Sequence, residues 1–161
     1  MGNGLLIDTN IISVFSPDQK EKPSDDVKAW FHEQGEADTL YLSTMTIAEI
    51  EKGTRSLHRR GGTERAKRLN AWLDFIVESF DDRILDVDPI VARIAGALED
   101  AAIAKGRHPG LGDVIIAATA KAYDLTVITA NMKHFIPLGM ACDLPAIFKP
   151  TKENEIKTPL F

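Results

Sequence analysis

Short apolar runs alternate with longer amphipathic stretches along nearly the whole chain, and this alternation constrains the fold more than any other feature of the sequence. Residues 4–8, 41–43, 83–87 and 125–129 are brief, apolar and flanked by polar residues, as expected of strands; 143–147 is a weaker fifth candidate. Between them the apolar positions fall at helical spacing. Val27, Trp30 and Phe31 follow the Ser24-Asp25-Asp26 start, and a long helix is expected from about Thr44 to Arg60, where Gly61-Gly62 breaks it. Leu69, Trp72, Leu73, Ile76 and Phe80 mark the next helix, Asp88-Pro89 launches another to about Lys105, and an alanine-rich helix runs from Asp113 to Tyr123. Thr9 and Asn10 are positioned to cap a short helix through Phe15, and the two prolines within 17–24 read as a loop. Strands separated by helices pair in parallel and need cover on both faces. The pattern therefore predicts an α/β fold, a three-layer α/β/α sandwich with a central, mainly parallel sheet.

With 161 residues, 44% of them hydrophobic and 27% charged, the chain is sized for one globular domain. A chain of this length buries about two-thirds of its unfolded surface, enough for a core without staples. The domain is expected over residues 1–148, with 149–161 forming an extended polar arm that ends in Pro-Leu-Phe. The single cysteine, Cys142, has no His or second Cys at ligand spacing and reads as a small buried hydrophobe, which suits a reducing compartment. The N-terminal residues do not have the form of a secretory signal, and no apolar run approaches the length needed to span a bilayer. A cytoplasmic protein with no membrane partner is the expectation. The net charge of −5 argues against a nucleic-acid partner, but it is unevenly distributed. Residues 51–70 hold seven Lys or Arg against two acids, so the other 141 residues carry −10. Such a run is either a solvated helix face or, if it lies beside a site, a surface for phosphates.

Three acids stand in apolar settings that surface acids usually avoid. Asp8 ends the first strand, Glu49 is flanked by Ile47, Ala48 and Ile50, and Asp113 precedes Val114, Ile115 and Ile116. Each has an ordinary reading: Asp8 and Asp113 as helix caps, Glu49 as an exposed helix residue. Taken together they have another, because in a parallel α/β fold ligands gather beyond the carboxyl ends of the strands. Carboxylates about 4 Å apart repel by roughly 4 kcal/mol per pair at an effective dielectric near 20, so a cluster of them calls for protons or a cation. Hard divalent ions prefer such oxygen ligands, and no Cys/His grouping suggests zinc. The glycine-rich stretch 106–112 is no phosphate loop of the nucleotide-binding kind, since it lacks the Gly-Lys-Ser/Thr ending and a preceding apolar strand.

Four segments in order, Leu5-Leu6-Ile7-Asp8-Thr9-Asn10, Ile47-Ala48-Glu49-Ile50-Glu51-Lys52-Gly53, Gly112-Asp113-Val114-Ile115-Ile116-Ala117-Ala118 and Thr129-Ala130-Asn131-Met132-Lys133-His134-Phe135, resemble the motifs of PIN-domain proteins. The VapC and FitB-like toxins of bacterial toxin–antitoxin pairs are the relatives the chain resembles, over about residues 4–148. The resemblance implies an α/β/α sandwich, Mg²⁺- or Mn²⁺-dependent endoribonuclease activity on RNA, a homodimer, and inhibition by a small DNA-binding antitoxin. By position it implies that Asp8, Glu49 and Asp113 are catalytic metal ligands. Asn10 and Thr129 would support them by hydrogen bonding, with Asn131 at the edge of the site. Arg55, Arg59 and Arg107 are the candidate RNA-binding residues. His134 departs from the pattern, standing where many relatives have an acid; three carboxylates suffice for one metal ion, whereas a second is put in question. His134 itself reads either as a hydrogen-bonded loop residue or as a contact to substrate phosphate or metal-bound water. Gly53 reads either as a point of close helix approach or as a local flaw in the helix.

Two other functions compete. One is a PIN module with weakened catalysis and a binding or regulatory role, favoured by His134 and opposed by the three intact acids. The other is a phosphotransferase with Asp8 as covalent nucleophile, a scheme that often places a second Asp two residues on, where this chain has Asn10. Trp72 and Phe75 fit either a dimer interface or the monomer core.

Overall fold

The computed structural model describes residues 4–149. Five strands, β1 (Leu5–Ile7), β2 (Leu40–Ser43), β3 (Ile84–Leu85), β4 (Thr126–Ile128) and β5 (Cys142–Asp143), form one sheet in the order β3-β2-β1-β4-β5. Every neighbouring pair is parallel, with Leu6 opposite Tyr41 on one side and Val127 on the other. The helices are α1 (Thr9–Ile12), α2 (Asp25–Glu36), α3 (Thr44–Arg59), α4 (Thr63–Phe80), α5 (Pro89–Ala104), α6 (Leu111–Tyr123) and α7 (Met132–Phe135).

Strand alternation divides the apolar side chains between two layers. Leu5, Ile7, Leu40, Leu42, Ile84 and Ile128 pack on one face with residues of α1, α2, α3 and α4. Leu6, Tyr41, Leu85 and Val127 pack on the other with Leu98 and Ala102 of α5, Ile116, Ala117 and Ala120 of α6, and Phe135 of α7. Val91, Ala95, Val114 and Ala118 join α5 to α6, where alanines let the two helices lie close. The sheet is thus the middle layer of an α/β/α sandwich, as the sequence pattern requires. The last described residues are held by aromatic packing: the Phe148 ring lies 5.4 Å from Trp30 and 6.1 Å from Phe31, both edge-on.

Caps explain most helix starts. Ser24, Ser43 and Asp88 accept from the backbone N–H of Val27, Met45 and Val91, satisfying donors that the first turn leaves free. Several boundaries differ from expectation. Asp8, not Thr9 or Asn10, caps α1, by accepting from the Thr9 N–H. α6 begins at Leu111 with Gly110 as its cap residue, so Asp113 is inside the first turn rather than at the cap. The strand expected over 83–87 shortens to two residues between a 3-10 turn and the Asp86-Val87-Asp88 segment that leads into α5. The strand expected over 143–147 is found at Cys142–Asp143; Pro145 has no N–H for a ladder, and Ala146–Phe148 forms a 3-10 turn. Cys142 is half-buried beside the second core layer rather than fully enclosed. The arm expected over 149–161 lies, but for Lys149, outside the described residues. No described helix is long and apolar enough to cross a membrane.

Candidate functional site

The strand order places the site. Successive strands run outward from β1 through β2 to β3, and the chain then returns to lay β4 on the opposite side of β1. The carboxyl ends of β1 and β4 therefore flank the point where strand order reverses, the usual crevice of an open parallel sheet. Asp8 follows β1 and Thr129 follows β4, and the Thr129 hydroxyl donates to Asp8 Oδ2 at 2.7 Å.

Around Asp8 the fold is over-determined. Its residue surface is 4% exposed. Oδ1 accepts from the Thr9 N–H at 2.7 Å, and Oδ2 accepts from Asn10 Nδ2 at 2.8 Å as well as from Thr129. Asn10 uses its other end to accept from the Ala130 N–H at 3.1 Å, tying the end of β1 to that of β4. Thr129, fully buried, also accepts from the Asn131 N–H at 2.9 Å. Asn131 thus supports the site through its backbone.

Glu49, on α3 after β2, and Asp113, on α6 before β4, reach the same crevice from the two helical layers. The Thr9 hydroxyl donates to Glu49 Oε2, and the Thr46 hydroxyl lies 3.3 Å from that of Thr9. Asp113 Oδ2 lies 2.8 Å from His134 Nδ1. The three carboxylates feel one another. Burial pushes the Asp8 carboxyl above its ordinary range, the Thr129 and Thr9 hydrogen bonds pull it back, and the Asp113 charge raises it further. Glu49 is also raised, first by burial and then by the charges of Asp8 and Asp113, against the pull of Thr9.

Gly112 and Thr9 have roles that residue-by-residue reading does not reveal. A Cβ on Gly112 would collide with Glu49 Oε1, so the Glu49 carboxylate rests against the bare backbone preceding Asp113. Gly53, by contrast, faces open space, and no close approach depends on it. The signal for Gly112 was its place directly before an acid in an apolar helix; its partner, 63 positions upstream, could not be read from the sequence.

The basic residues separate. Arg107 lines a pocket of about 340 Å³ that also includes Asp113 and His134. Arg55 lines a different groove, between α3 and α4, and its guanidinium pairs with Glu51 at 2.6 Å. Arg59 is exposed on the last turn of α3.

The donor chemistry fits a hard divalent ion. A carboxylate offers about four acceptor positions. Protein donors occupy three on Asp8, one on Glu49 and, with His134, one on Asp113, leaving oxygen lone pairs on all three groups. Among the described residues no three His, Cys, Asp or Glu side chains stand close enough together to hold a metal ion as they are placed, so the fit is one of donor chemistry and neighbourhood.

A doubly wound parallel sheet with acids gathered at its switch point defines an α/β/α domain of the open-sheet class. The PIN-domain family model matches residues 5–135, and the chain belongs to the PIN-domain family. It is 33% identical over 146 residues to toxin FitB of Neisseria gonorrhoeae, covering 91% of this chain and 97% of FitB. It is 31% identical over 136 residues to VapC ribonuclease Y4jK of Sinorhizobium fredii, covering 84% and 93%. Among solved structures, FitAcB from Neisseria gonorrhoeae superposes with a TM-score of 0.72 at 32% identity, covering 86% of this chain and 95% of the other.

Proposed function

We propose that this protein is a metal-dependent endoribonuclease and acts as the toxin of a toxin–antitoxin pair. One observation carries the reading: Asp8, Glu49 and Asp113 converge at the sheet's switch point, and burial and mutual repulsion raise Asp8 and Glu49, as expected of carboxylates awaiting a cation. The ribonuclease and toxin names of its relatives support the reaction and the role.

Asp8, Glu49 and Asp113 would hold Mg²⁺ or Mn²⁺. Such an ion supplies a Lewis acid for the phosphodiester, a lowered pKa for the attacking water, and the charge that lets an acidic crevice accept an anionic substrate. The chain's own residues supply position. Thr129, Asn10 and the Thr9 N–H fix Asp8; the Thr9 hydroxyl and the bare Gly112 backbone seat Glu49; His134 orients Asp113. Loss of a support to Asp8 or Glu49 is expected to change metal affinity or activity about 10–100-fold, and loss of the half-exposed His134 less. A cell that makes such a toxin must restrain it, so a cognate antitoxin protein is the second partner, and the cytoplasm, where the RNA is, the location. We assign a homodimer as the working unit; Phe75, 62% exposed on α4, and the half-buried Trp72 one turn before it are candidates for its interface.

An RNA-cleavage time course tests the reading, comparing the protein with Asp8→Asn in Mg²⁺, Mn²⁺ or chelator. The expected result is metal-requiring cleavage that falls by at least about a thousandfold in the variant, roughly 4 kcal/mol of transition-state stabilisation. Folded protein that leaves varied RNAs intact, or an Asp8→Asn variant that still cleaves, would overturn it.

A further inference from the structure

The acidic crevice has two unlike flanks. On the Glu49 side, a groove is lined by Thr9, Ser13, Ser16, Asp18 and Trp72; of its two carboxylates, Glu49 and Asp18, the second is paired with Arg65. On the Asp113 side, the pocket of about 340 Å³ is rimmed by Arg107, His108 and Lys133 and floored by Ala102, Pro137 and Leu138. Its size is at the small end of ligand pockets, which run from about 300 to 1,000 Å³. Two separate segments deliver the cations: the loop between α5 and α6 brings Arg107, and α7 brings Lys133.

Neither Arg107 nor Lys133 makes an ion pair or side-chain hydrogen bond among the described residues. Arg55, Arg65 and Arg83 are each paired with an acid outside this pocket, Arg65 with Asp18 of the Glu49-side groove. The pocket's own carboxylate, Asp113, is engaged by His134 at 2.8 Å. An acid at position 134 would have placed a second carboxylate in this pocket; the imidazole adds no negative charge and holds the one already there.

We infer that this pocket is a one-nucleotide subsite, seating the RNA residue next to the scissile bond, with its phosphate against Arg107 and Lys133 and its sugar or base on Ala102, Pro137 and Leu138. The inference rests on the nuclease reading and extends it. The strand then crosses the acids with its phosphate clamp on the Asp113 side, whereas the cation beside the Glu49-side groove, Arg65, is already held by Asp18. The asymmetry fixes where the scissile phosphate falls.

Binding of a short, mixed-sequence, single-stranded RNA, measured by fluorescence anisotropy in chelator across a salt series, tests this apart from catalysis. The variant combines Arg107→Gln with Lys133→Gln. A matched control combines Arg93→Gln with Lys121→Gln, both exposed and outside the pocket. Each lost phosphate contact lowers the salt slope by about 0.7, so the pocket variant should lose about 1.4 in slope and on the order of tenfold in affinity near ~0.1 M salt. The control should change neither, and Arg107→Lys with Lys133→Arg should keep the original slope. RNA binding unchanged in the pocket variant, or an equal loss in the control, overturns the subsite and leaves the nuclease reading intact. Unmodified protein that neither binds nor cleaves RNA overturns both.

Discussion

Asp8 and Asp113 present the same functional group to one crevice, yet the fold holds them differently. Asp8 is 4% exposed and bound by three donors from Thr9, Asn10 and Thr129, which lock the ends of two central strands together. Asp113 stands in the first turn of α6, has 24% of its side chain exposed, and is met by one imidazole from a four-residue helix. The negative charge of Asp113 suits a helix N-terminus, so it needs fewer donors than Asp8 does. The contrast describes a site with one fixed anchor and one adjustable carboxylate. Glu49 falls between the two, half-buried, held by one hydroxyl and seated against a glycine.

If that contrast governs function, removing a support of the anchor should cost far more than removing the partner of the adjustable acid. Thr129→Val keeps the shape of a fully buried side chain while deleting the donor to Asp8 and the acceptor for the Asn131 N–H. We expect about 1–3 kcal/mol of lost stability from the unpaired groups, and a cleavage rate down by up to ~100-fold. His134→Ala removes a half-exposed partner and should lower the rate only a few fold, with a melting temperature nearly unchanged, since exposed pairs contribute roughly 0–1 kcal/mol. Rates and thermal melts of the two variants, measured side by side, decide it. Equal losses would mean that Asp113 is as tightly constrained as Asp8.

Gly112→Ala probes the intermediate case. The added methyl meets the far end of the Glu49 side chain, which can swing away, so the fold should tolerate it while the carboxylate leaves its seat. About a tenfold fall in cleavage, within the 10–100-fold range for displaced supporting groups, should accompany a stability change under roughly 0.5 kcal/mol. A large drop in melting temperature would instead show Glu49 to be rigidly held.

The sequence made much of this architecture legible and left particular contacts hidden, for physical reasons. Period-two alternation and helical spacing identify the layers because they are set by burial, which acts on every residue of an element; Leu6 and Ile7 fall on opposite faces as their order requires. The acids stood out because Asp8, Glu49 and Asp113 interrupt apolar runs. Pairings across the chain are different in kind. That Thr9 donates to Glu49, 40 positions away, depends on where α3 lies against β1, and a hydroxyl's partner leaves no periodic trace. The glycines show the same limit: Gly53 and Gly112 look alike in sequence, one next to open space and the other beneath a carboxylate. The edge strands are shorter than their sequence suggests, because β3 and β5 are two residues each, too short for alternation to mark their ends.

The smallest expected effect tests whether the crevice carries uncompensated charge. Glu49 is raised from its ordinary value of 4.5, chiefly by burial and then by its acidic neighbours. A carboxyl raised on folding favours the protonated state, so its contribution to stability is full below the unfolded value and is lost as the pH climbs through the folded one. Glu49→Gln has no such loss. In chelator at pH 7 it should therefore melt slightly above the unmodified protein, an effect kept small by the group's partial exposure. The gap should close as the pH is lowered toward 4, where unmodified Glu49 keeps its proton. Added Mn²⁺ should close it from the other direction, by stabilising the intact acid set more than the variant. A gap that is constant with pH would mean that repulsion at Glu49 is already relieved by its Thr9 hydrogen bond, and would place it with Asp8 among the fixed groups.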